Sequence, residues 1–206
     1  MALHIVNHPL GENILVSLRN RDTTVAEYHA LCRRIGVVLF VKACENLDLK
    51  LTTTETPLCK CEGKILANPI ALVPILRAGL ALLAPALDLI PEASVGYFGL
   101  RRSEKEGHPE PYYQNLPPIA DANVFILDPM IATGSTASFA IRALQKFQPK
   151  SIGFISILAA PEGIRHLMDK FPHIDIYTIA LDRGLDEKNF ILPGLGDFGD
   201  RFHGTT

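Results

Sequence analysis

The sequence lacks the features of a nucleic-acid-binding, membrane or secreted protein. Its 20 lysines and arginines are outnumbered by 22 aspartates and glutamates, so neither nucleic acid nor an anionic membrane is an expected partner. No basic segment followed by a long apolar core opens the chain, so no signal peptide is expected. The apolar run around Leu80–Ala86 contains Pro85 and is too short to cross a bilayer. These absences predict a soluble protein of the cytoplasm.

Cysteine is scarce and badly spaced for metal binding. The pair Cys59 and Cys61 is separated by one residue, which fits neither a zinc site nor a thioredoxin-like motif, and Cys32 and Cys44 form no second pair. We expect free thiols in a reducing compartment and no metal held by protein ligands alone. The glycine patterns of a Walker loop and of a dinucleotide-binding fingerprint are also missing.

Composition and length favour one folded unit. The chain has 206 residues, 48% of them hydrophobic, which is enough for a sizeable core. No internal repeat or low-complexity linker interrupts it. Residues 1–206 are therefore expected to form a single domain.

Apolar runs alternate with segments of helical spacing. The runs that predict strands are 70–76, 124–127, 151–159 and 174–180, and helices are expected over 80–89, 137–147 and 161–170. An earlier helix over 25–47 begins at Thr24, with Glu27 completing a capping box. This alternation predicts an α/β fold with a mostly parallel central sheet and helices on both faces. The loops that follow the strands should then meet at one edge of the sheet.

Two further segments have the pattern of short extended pieces. Residues 48–66 alternate weakly and predict one or two strands at a sheet edge. Residues 94–116 contain two extended stretches around a charged tip with a glycine, which predicts a protruding β-hairpin arm.

The loop after strand 124–127 has the composition of an anion site. Asp128 ends the strand, small residues follow, and the next helix would direct its positive end and free N–H groups towards the loop. Thr133, Ser135 and Thr136 add hydroxyl groups, and Gly134 permits close approach of the backbone. The pattern alone fits equally an ordinary connection in which Ser135 or Thr136 caps the helix.

Two other places could belong to the same site. Arg77 lies where strand 70–76 ends, although a surface arginine paired with an acid would have the same pattern. Residues 190–201 contain four glycines or prolines and two aspartates, so neither helix nor regular strand is expected there. Such a loop exposes backbone donors and acceptors to the edge of a flat base, but it could also be a plain C-terminal loop.

Four motifs together resemble the uracil phosphoribosyltransferase family of type I phosphoribosyltransferases. They are VPILRAG at 73–79, DPMIATGS at 128–135, AAPEG at 159–163 and PGLGDFGDR at 193–201. The likeness covers nearly the whole chain, and the Pro-Gly-Leu-Gly-Asp segment is its most specific part. It implies the type I phosphoribosyltransferase fold, with the hairpin arm at about 94–116 and a C-terminal hood loop at about 190–201.

The resemblance also implies a reaction and a set of site residues. Uracil and phosphoribosyl diphosphate would give UMP and diphosphate, with Asp197, Arg77 and Arg102 in catalytic roles. Uracil would contact Ile191, Gly196, Asp197 and Phe198. The donor would be bound by Arg77, Arg102, Asp128, Pro129, Met130, Ile131, Ala132, Thr133, Gly134, Ser135, Thr136 and Asp197.

Several further expectations follow from the same resemblance. Mg²⁺ would arrive on the diphosphate of the donor, GTP is a candidate effector, and a homodimer or higher homo-oligomer is expected. Ser135 replaces a glycine of the usual family loop, which would cost about 1 kcal/mol if that position needs a positive φ. The alternatives are a non-catalytic uracil- or UMP-binding regulator of the same fold and a transferase for another base.

Overall fold

A computed structural model describes residues 2–102 and 109–205. In these two ranges the chain forms six helices and fifteen strands. The helices are α1 (Pro9–Arg19), α2 (Val25–Ala43), α3 (Leu80–Leu89), α4 (Ser135–Gln145), α5 (Pro161–Lys170) and α6 (Phe198–His203). The longer strands are β1 (Leu3–Ile5), β2 (Leu49–Glu55), β3 (Lys60–Leu66), β4 (Ile70–Leu76), β6 (Tyr97–Arg102), β7 (Pro109–Asn115), β8 (Asn123–Leu127), β10 (Ser151–Ile155) and β12 (Asp175–Thr178). The two-residue strands are β5 (Ser94–Val95), β9 (Met130–Ile131), β11 (Leu158–Ala159), β13 (Ala180–Leu181), β14 (Gly184–Leu185) and β15 (Ile191–Leu192).

The main sheet confirms the predicted α/β fold. Its strands lie in the order β1-β12-β10-β8-β4-β6-β7, with β5 also paired to β4. All of these pairs are parallel except β6 with β7. Strands β4 and β8 are covered on both faces, which is why their sequences are nearly continuous apolar runs.

Helices cover both faces of the sheet and divide the core in two. One cluster joins α1, α2 and α3 to the sheet, with Tyr28, Phe40 and Leu82 fully buried. The other joins α4 and α5 to the opposite face and includes Ile126 and Phe154. None of the helices in the described ranges is long and apolar enough to cross a membrane.

The start of α2 has the capping box that the sequence predicts. The Thr24 hydroxyl accepts a hydrogen bond from the Glu27 N–H, and the Glu27 carboxylate accepts one from the Thr24 N–H at 2.9 Å. The Thr24 hydroxyl and N–H, both bonded to Glu27, lower the pKa of that carboxyl below its ordinary value. The helix ends at Ala43, four residues earlier than predicted.

Two predicted strands each divide into two. Runs 151–159 and 174–180 leave the main sheet after β10 and β12, and β11 and β13 join β9 in a separate parallel sheet of three. The hydroxyls of Ser156 and Thr178 donate to nearby main-chain carbonyls at these points, Ser156 to Leu158 O at 2.8 Å and Thr178 to Ile157 O at 3.1 Å. These side-chain bonds lie at the points where each strand leaves the main sheet.

The segment 48–66 does not join the edge of the main sheet, contrary to expectation. It forms an antiparallel hairpin of β2 and β3, which is a sheet of its own. Most side chains of both strands are exposed, so this segment lacks the clear alternation of a half-buried strand.

The prediction that residues 190–201 hold no regular structure is wrong. Strand β15 pairs with β14, and α6 begins at Phe198. The Asp197 carboxylate caps α6 by accepting from the Asp200 N–H at 2.9 Å. Phe198 is buried against the ring of Tyr28, so the helix depends on a tertiary contact that composition does not reveal.

Candidate active site

A cleft of about 430 Å³ opens at the carboxyl ends of β4 and β8. One wall comes from the ends of these strands and the other from the C-terminal segment. Its lining residues are Arg77, Ala78, Asp128, Met130, Ala132, Lys188, Asn189, Phe190, Ile191, Gly196, Asp197, Phe198 and Gly199. The parallel sheet therefore gathers segments more than a hundred residues apart into one cavity.

A smaller cavity of about 180 Å³ adjoins this cleft. It is lined by Asp128 and by the continuous stretch Met130–Ala137. Asp128, Met130 and Ala132 line both cavities. A ligand with an anionic end and a flat end could therefore occupy the two cavities together.

The smaller cavity lies at the N-terminus of α4. Gly134 precedes the helix with φ +78°, and a Cβ there would be only 2.9 Å from the Gly163 carbonyl oxygen, so this position requires glycine. Gly134 has no side chain to cap the helix, and the Ser135 N–H donates to the Thr133 hydroxyl at 3.4 Å. The helix dipole and the N–H groups that follow Ser135 in the first turn can therefore face an anion.

Ser135 does not have a positive φ, so the cost of about 1 kcal/mol that a positive φ would impose on a serine does not apply. It is the first residue of α4, and the positive φ belongs to Gly134. Its hydroxyl lies 2.9 Å from that of Thr133. Two hydroxyl groups that can donate or accept therefore lie side by side on the wall of the smaller cavity.

The ends of β4 and β8 bring a cation and a carboxylate to the same cleft. Arg77 is exposed and follows a cis peptide bond from Leu76. Asp128 is partly buried, and its Oδ1 lies 3.5 Å from the Met130 N–H. A Cβ at Gly79 would collide with the Leu127 carbonyl oxygen, so the close approach of the two strand ends depends on this glycine.

The C-terminal wall combines apolar side chains with exposed backbone. Ile191 and Phe198 are buried, whereas Gly196 and Asp197 are exposed. The turn before Gly196 contains Pro193, which follows a cis peptide bond, and Gly194 with φ +61°. This wall offers a flat ligand both apolar contact and main-chain hydrogen-bonding groups.

Comparisons with known proteins agree with this geometry. The family model for uracil phosphoribosyltransferase matches residues 5–205. The chain belongs to the uracil phosphoribosyltransferase family. Uracil phosphoribosyltransferases from Campylobacter fetus and Levilactobacillus brevis are 42% and 41% identical to it, over 98% of this chain and 98% and 97% of theirs.

Solved structures support the same fold. A protein from Aquifex aeolicus is 33% identical, with a TM-score of 0.96 over 100% of this chain and 99% of that one. A hypoxanthine-guanine phosphoribosyltransferase from Bacillus anthracis is 14% identical, with a TM-score of 0.54 over 77% of this chain and 80% of that one. The second likeness shows the type I phosphoribosyltransferase fold alone.

Most of the site residues expected for this family lie on the two cavities. Arg77, Asp128, Ile191, Gly196, Asp197 and Phe198 line the cleft, and Met130 to Thr136 line the smaller cavity. Pro129 is buried and is on the lining of neither. The side chain of Arg102 lies outside the described residues, as does the tip of the arm at 103–108.

Six lining residues are absent from the site residues that the sequence predicts, namely Ala78, Lys188, Asn189, Phe190 and Gly199 on the cleft and Ala137 on the smaller cavity. Of these, Lys188 and Asn189 lie outside every motif and loop that sequence reasoning assigned to the site. Lys188, Asn189 and Phe190 form a turn organised by Asp186, whose Oδ1 accepts from the N–H groups of Lys188 at 2.9 Å and Phe190 at 2.8 Å. An aspartate that bonds to the backbone two and four residues later is a turn signal that the sequence does contain. The position of this turn beside the cleft depends on the pairing of β14 with β15.

The carboxylates of this family member suit a metal that arrives with its substrate. Within residues 2–102 and 109–205, no three His, Cys, Asp or Glu side chains come together as a metal site. Asp128 and Asp197 do line the cleft. Mg²⁺ is commonly bound by one or two carboxylates together with substrate phosphates and water, and this donor set fits such an arrangement.

Proposed function

We propose that this chain transfers the phosphoribosyl group of 5-phospho-α-D-ribose 1-diphosphate to uracil, giving UMP and diphosphate. The observation that carries the proposal is one cleft lined by Arg77, Asp128 and the segment Gly196–Phe198. This cleft adjoins the smaller cavity at the N-terminus of α4. Family membership supports the choice of base. We treat residues 1–206 as a single phosphoribosyltransferase domain.

The donor would bind across both cavities. Its 5′-phosphate fits the N-terminus of α4, where the hydroxyls of Thr133 and Ser135 supplement the backbone N–H groups. Asp128 is placed to accept hydrogen bonds from the ribose hydroxyls. The diphosphate would lie near Arg77, and the family resemblance adds Arg102 from the arm.

Uracil would lie against the C-terminal wall. Ile191 and Phe198 supply apolar surface, and the backbone around Gly196 and Asp197 supplies donors and acceptors for the carbonyl and N–H groups of the base. A pocket that reads a base through fixed backbone groups rejects analogues whose donors and acceptors are exchanged, because buried polar groups are then left unpaired.

Catalysis would come from positioning and electrostatics. The bond from the anomeric carbon to the diphosphate oxygen breaks while the bond to uracil N1 forms, through an oxocarbenium-like state. The Arg77 guanidinium stabilises the charge that develops on the leaving diphosphate. The N1 proton passes to the Asp197 carboxylate or to the diphosphate itself.

Mg²⁺, carried on the donor, would neutralise part of the diphosphate charge. Asp128 and Asp197 are the carboxylates of the cleft that could contact it or its water ligands. In this chain, both carboxylates would help to hold the sugar, the base and the leaving group in line.

A base-selection assay tests the proposal. The purified chain is given donor and Mg²⁺ with uracil, cytosine, orotate or hypoxanthine, and nucleotide formation is followed by absorbance or radiolabel. Product from uracil alone supports the proposal, and product from another base instead of uracil contradicts it. No product from any base, together with tight UMP binding, supports the non-catalytic regulator.

Assembly and regulation extend the proposal. Leu51 on the β2–β3 hairpin and Leu58 at its tip are 73% and 94% exposed, and projecting apolar side chains of this kind favour an interface with a second copy. We expect a homodimer or larger oligomer, which light scattering of the wild type and of Leu51→Lys would test.

The base-selection assay, repeated with added GTP, tests whether GTP is an effector. Because phosphoribosyl diphosphate is an intracellular metabolite, we place the activity in the cytoplasm.

A further inference from the structure

Arg19 holds the turn before Gly196 from outside the cleft. Its guanidinium makes a two-pronged ion pair with Asp182, at 2.8 and 2.5 Å, and its Nη1 also donates to the Gly194 carbonyl at 2.7 Å. Asp182 in turn accepts from the Gly194 N–H at 2.9 Å. Both polar groups of Gly194 are therefore bound by this pair, whose carboxylate is almost fully buried.

Arg201 holds the next residue of the same turn. Its Nη1 donates to the carbonyls of Leu18 at 2.6 Å and Leu195 at 2.7 Å, and its Nη2 donates to the Asn20 carbonyl at 2.5 Å. The guanidinium also lies 4.6 Å from the centre of the Tyr28 ring. Two of the three carbonyls are at the C-terminal end of α1, where the helix dipole favours a cation.

These contacts tie the turn to the end of α1. Gly194 and Leu195 directly precede Gly196 and Asp197, which line the cleft. A loop rich in glycine has many accessible conformations. Backbone groups can discriminate a base only if that loop is held in one of them before binding, since a displacement of about 1 Å can cost about a hundredfold in rate.

We propose that Arg19, Asp182 and Arg201 are positioning residues that fix the base-binding loop and thereby set affinity for the pyrimidine. This inference rests on the proposed function. None of the three side chains lines either cavity, so they act through Gly194 and Leu195 rather than on the substrate. Their loss should weaken binding of the base and leave the donor site at α4 intact.

The test uses the conservative variants Arg19→Lys, Arg201→Lys and Asp182→Asn in the full chain. We expect the KM for uracil to rise about tenfold in each, which corresponds to about 1.4 kcal/mol. The KM for the donor should stay within about twofold, because a general loss of structure would move both constants. Arg21→Lys is the matched control, since Arg21 is 94% exposed and pairs only loosely with Asp22 at 3.9 Å.

Thermal shift separates a loop effect from a folding effect. Added donor should raise the Tm of wild type and variants by similar amounts, whereas the shift produced by UMP should fall in the variants. An equal rise in both KM values, an unchanged KM for uracil, or loss of the folded state in all three variants would each overturn the proposal. Absence of uracil transfer by the wild type would instead overturn the proposed function.

Discussion

Arg77 illustrates how much one residue depends on its place at a strand end. It is exposed at the mouth of the cleft, and within the described residues no carboxylate forms an ion pair with it. Among the described residues, Arg77 and Lys188 are the basic residues that line this cavity. An arginine without a carboxylate partner is suited to stabilise the negative charge that develops on a leaving group.

Replacing Arg77 by alanine should therefore impair use of the donor without unfolding the chain. We expect kcat/KM for the donor to fall by about a hundredfold, as is usual when one group that stabilises developing charge is removed. The Tm should change little because the side chain is exposed. Steady-state kinetics with varied donor would measure the effect, and Arg21→Ala would serve as control. Unchanged donor kinetics would remove Arg77 from its assigned role.

The start of helix α2 is determined by two residues, Thr24 and Glu27. The reciprocal bonds of Thr24 and Glu27 satisfy two groups of its first turn. Since these bonds lower the pKa of Glu27, its charged form stabilises the fold above the unfolded pKa. This contribution is lost as the pH falls through the lower pKa of the folded state.

Thr24→Ala should lower the Tm by about 2–4 °C at neutral pH, given the usual worth of a helix cap in a chain of this size. The difference from wild type should shrink as the solution is acidified through the lowered pKa of Glu27, because its carboxylate then becomes protonated. Thr24→Ser keeps the hydroxyl and should behave as wild type. If the loss of Tm in Thr24→Ala were the same at every pH, the stability of the cap would not depend on the charge of Glu27.

The close approach of β4 and β8 gives a second test at the scale of elements. A Cβ at Gly79 would collide with main-chain atoms of Leu127 and Ile75, which cannot move as a flexible side chain would. Gly79→Ala should destabilise the fold by about 1–3 kcal/mol. At Gly63, on β3, no atom lies within 4 Å of the same addition, so Gly63→Ala should change stability by less than about 0.5 kcal/mol. Denaturant unfolding of both variants would compare them, and equal losses would contradict the argument.

Elements were predictable from sequence where local pattern and tertiary environment agree. Strands β4 and β8 are apolar throughout because both faces are covered. The six-residue helix α6 was missed because so short a helix has little stability of its own, and the packing of Phe198 on Tyr28 lies outside any local window. In the site, the motif residues and the loop from Phe190 onward were predictable, whereas Lys188 and Asn189 are brought to the cleft by the pairing of β14 with β15.

At the scale of the whole molecule, the two ends of the chain together support one wall of the cleft. Strand β1 pairs with β12, the end of α1 binds the turn at Gly194, and α2 packs against α6. The middle of the chain, from β4 to α4, supplies the other wall. The C-terminal wall, where we propose that the base binds, therefore depends on contacts between residues far apart in sequence. The smaller cavity at α4 is instead lined by Asp128 and the continuous stretch Met130–Ala137.

The reactivity of the four cysteines tests the packing of the chain, because these residues differ in burial. Cys59 and Cys61 are exposed on the β2–β3 hairpin, whereas Cys32 is fully buried in α2. Burial raises the pKa of Cys32 to about 12 and that of Cys44 to about 11, so little thiolate is present at either near pH 8. We expect two thiols to react quickly with a chromogenic disulfide in the native protein and all four to react in denaturant. The double variant Cys59→Ser, Cys61→Ser should lose the fast phase, and rapid labelling of Cys32 in it would show that α2 does not pack as described.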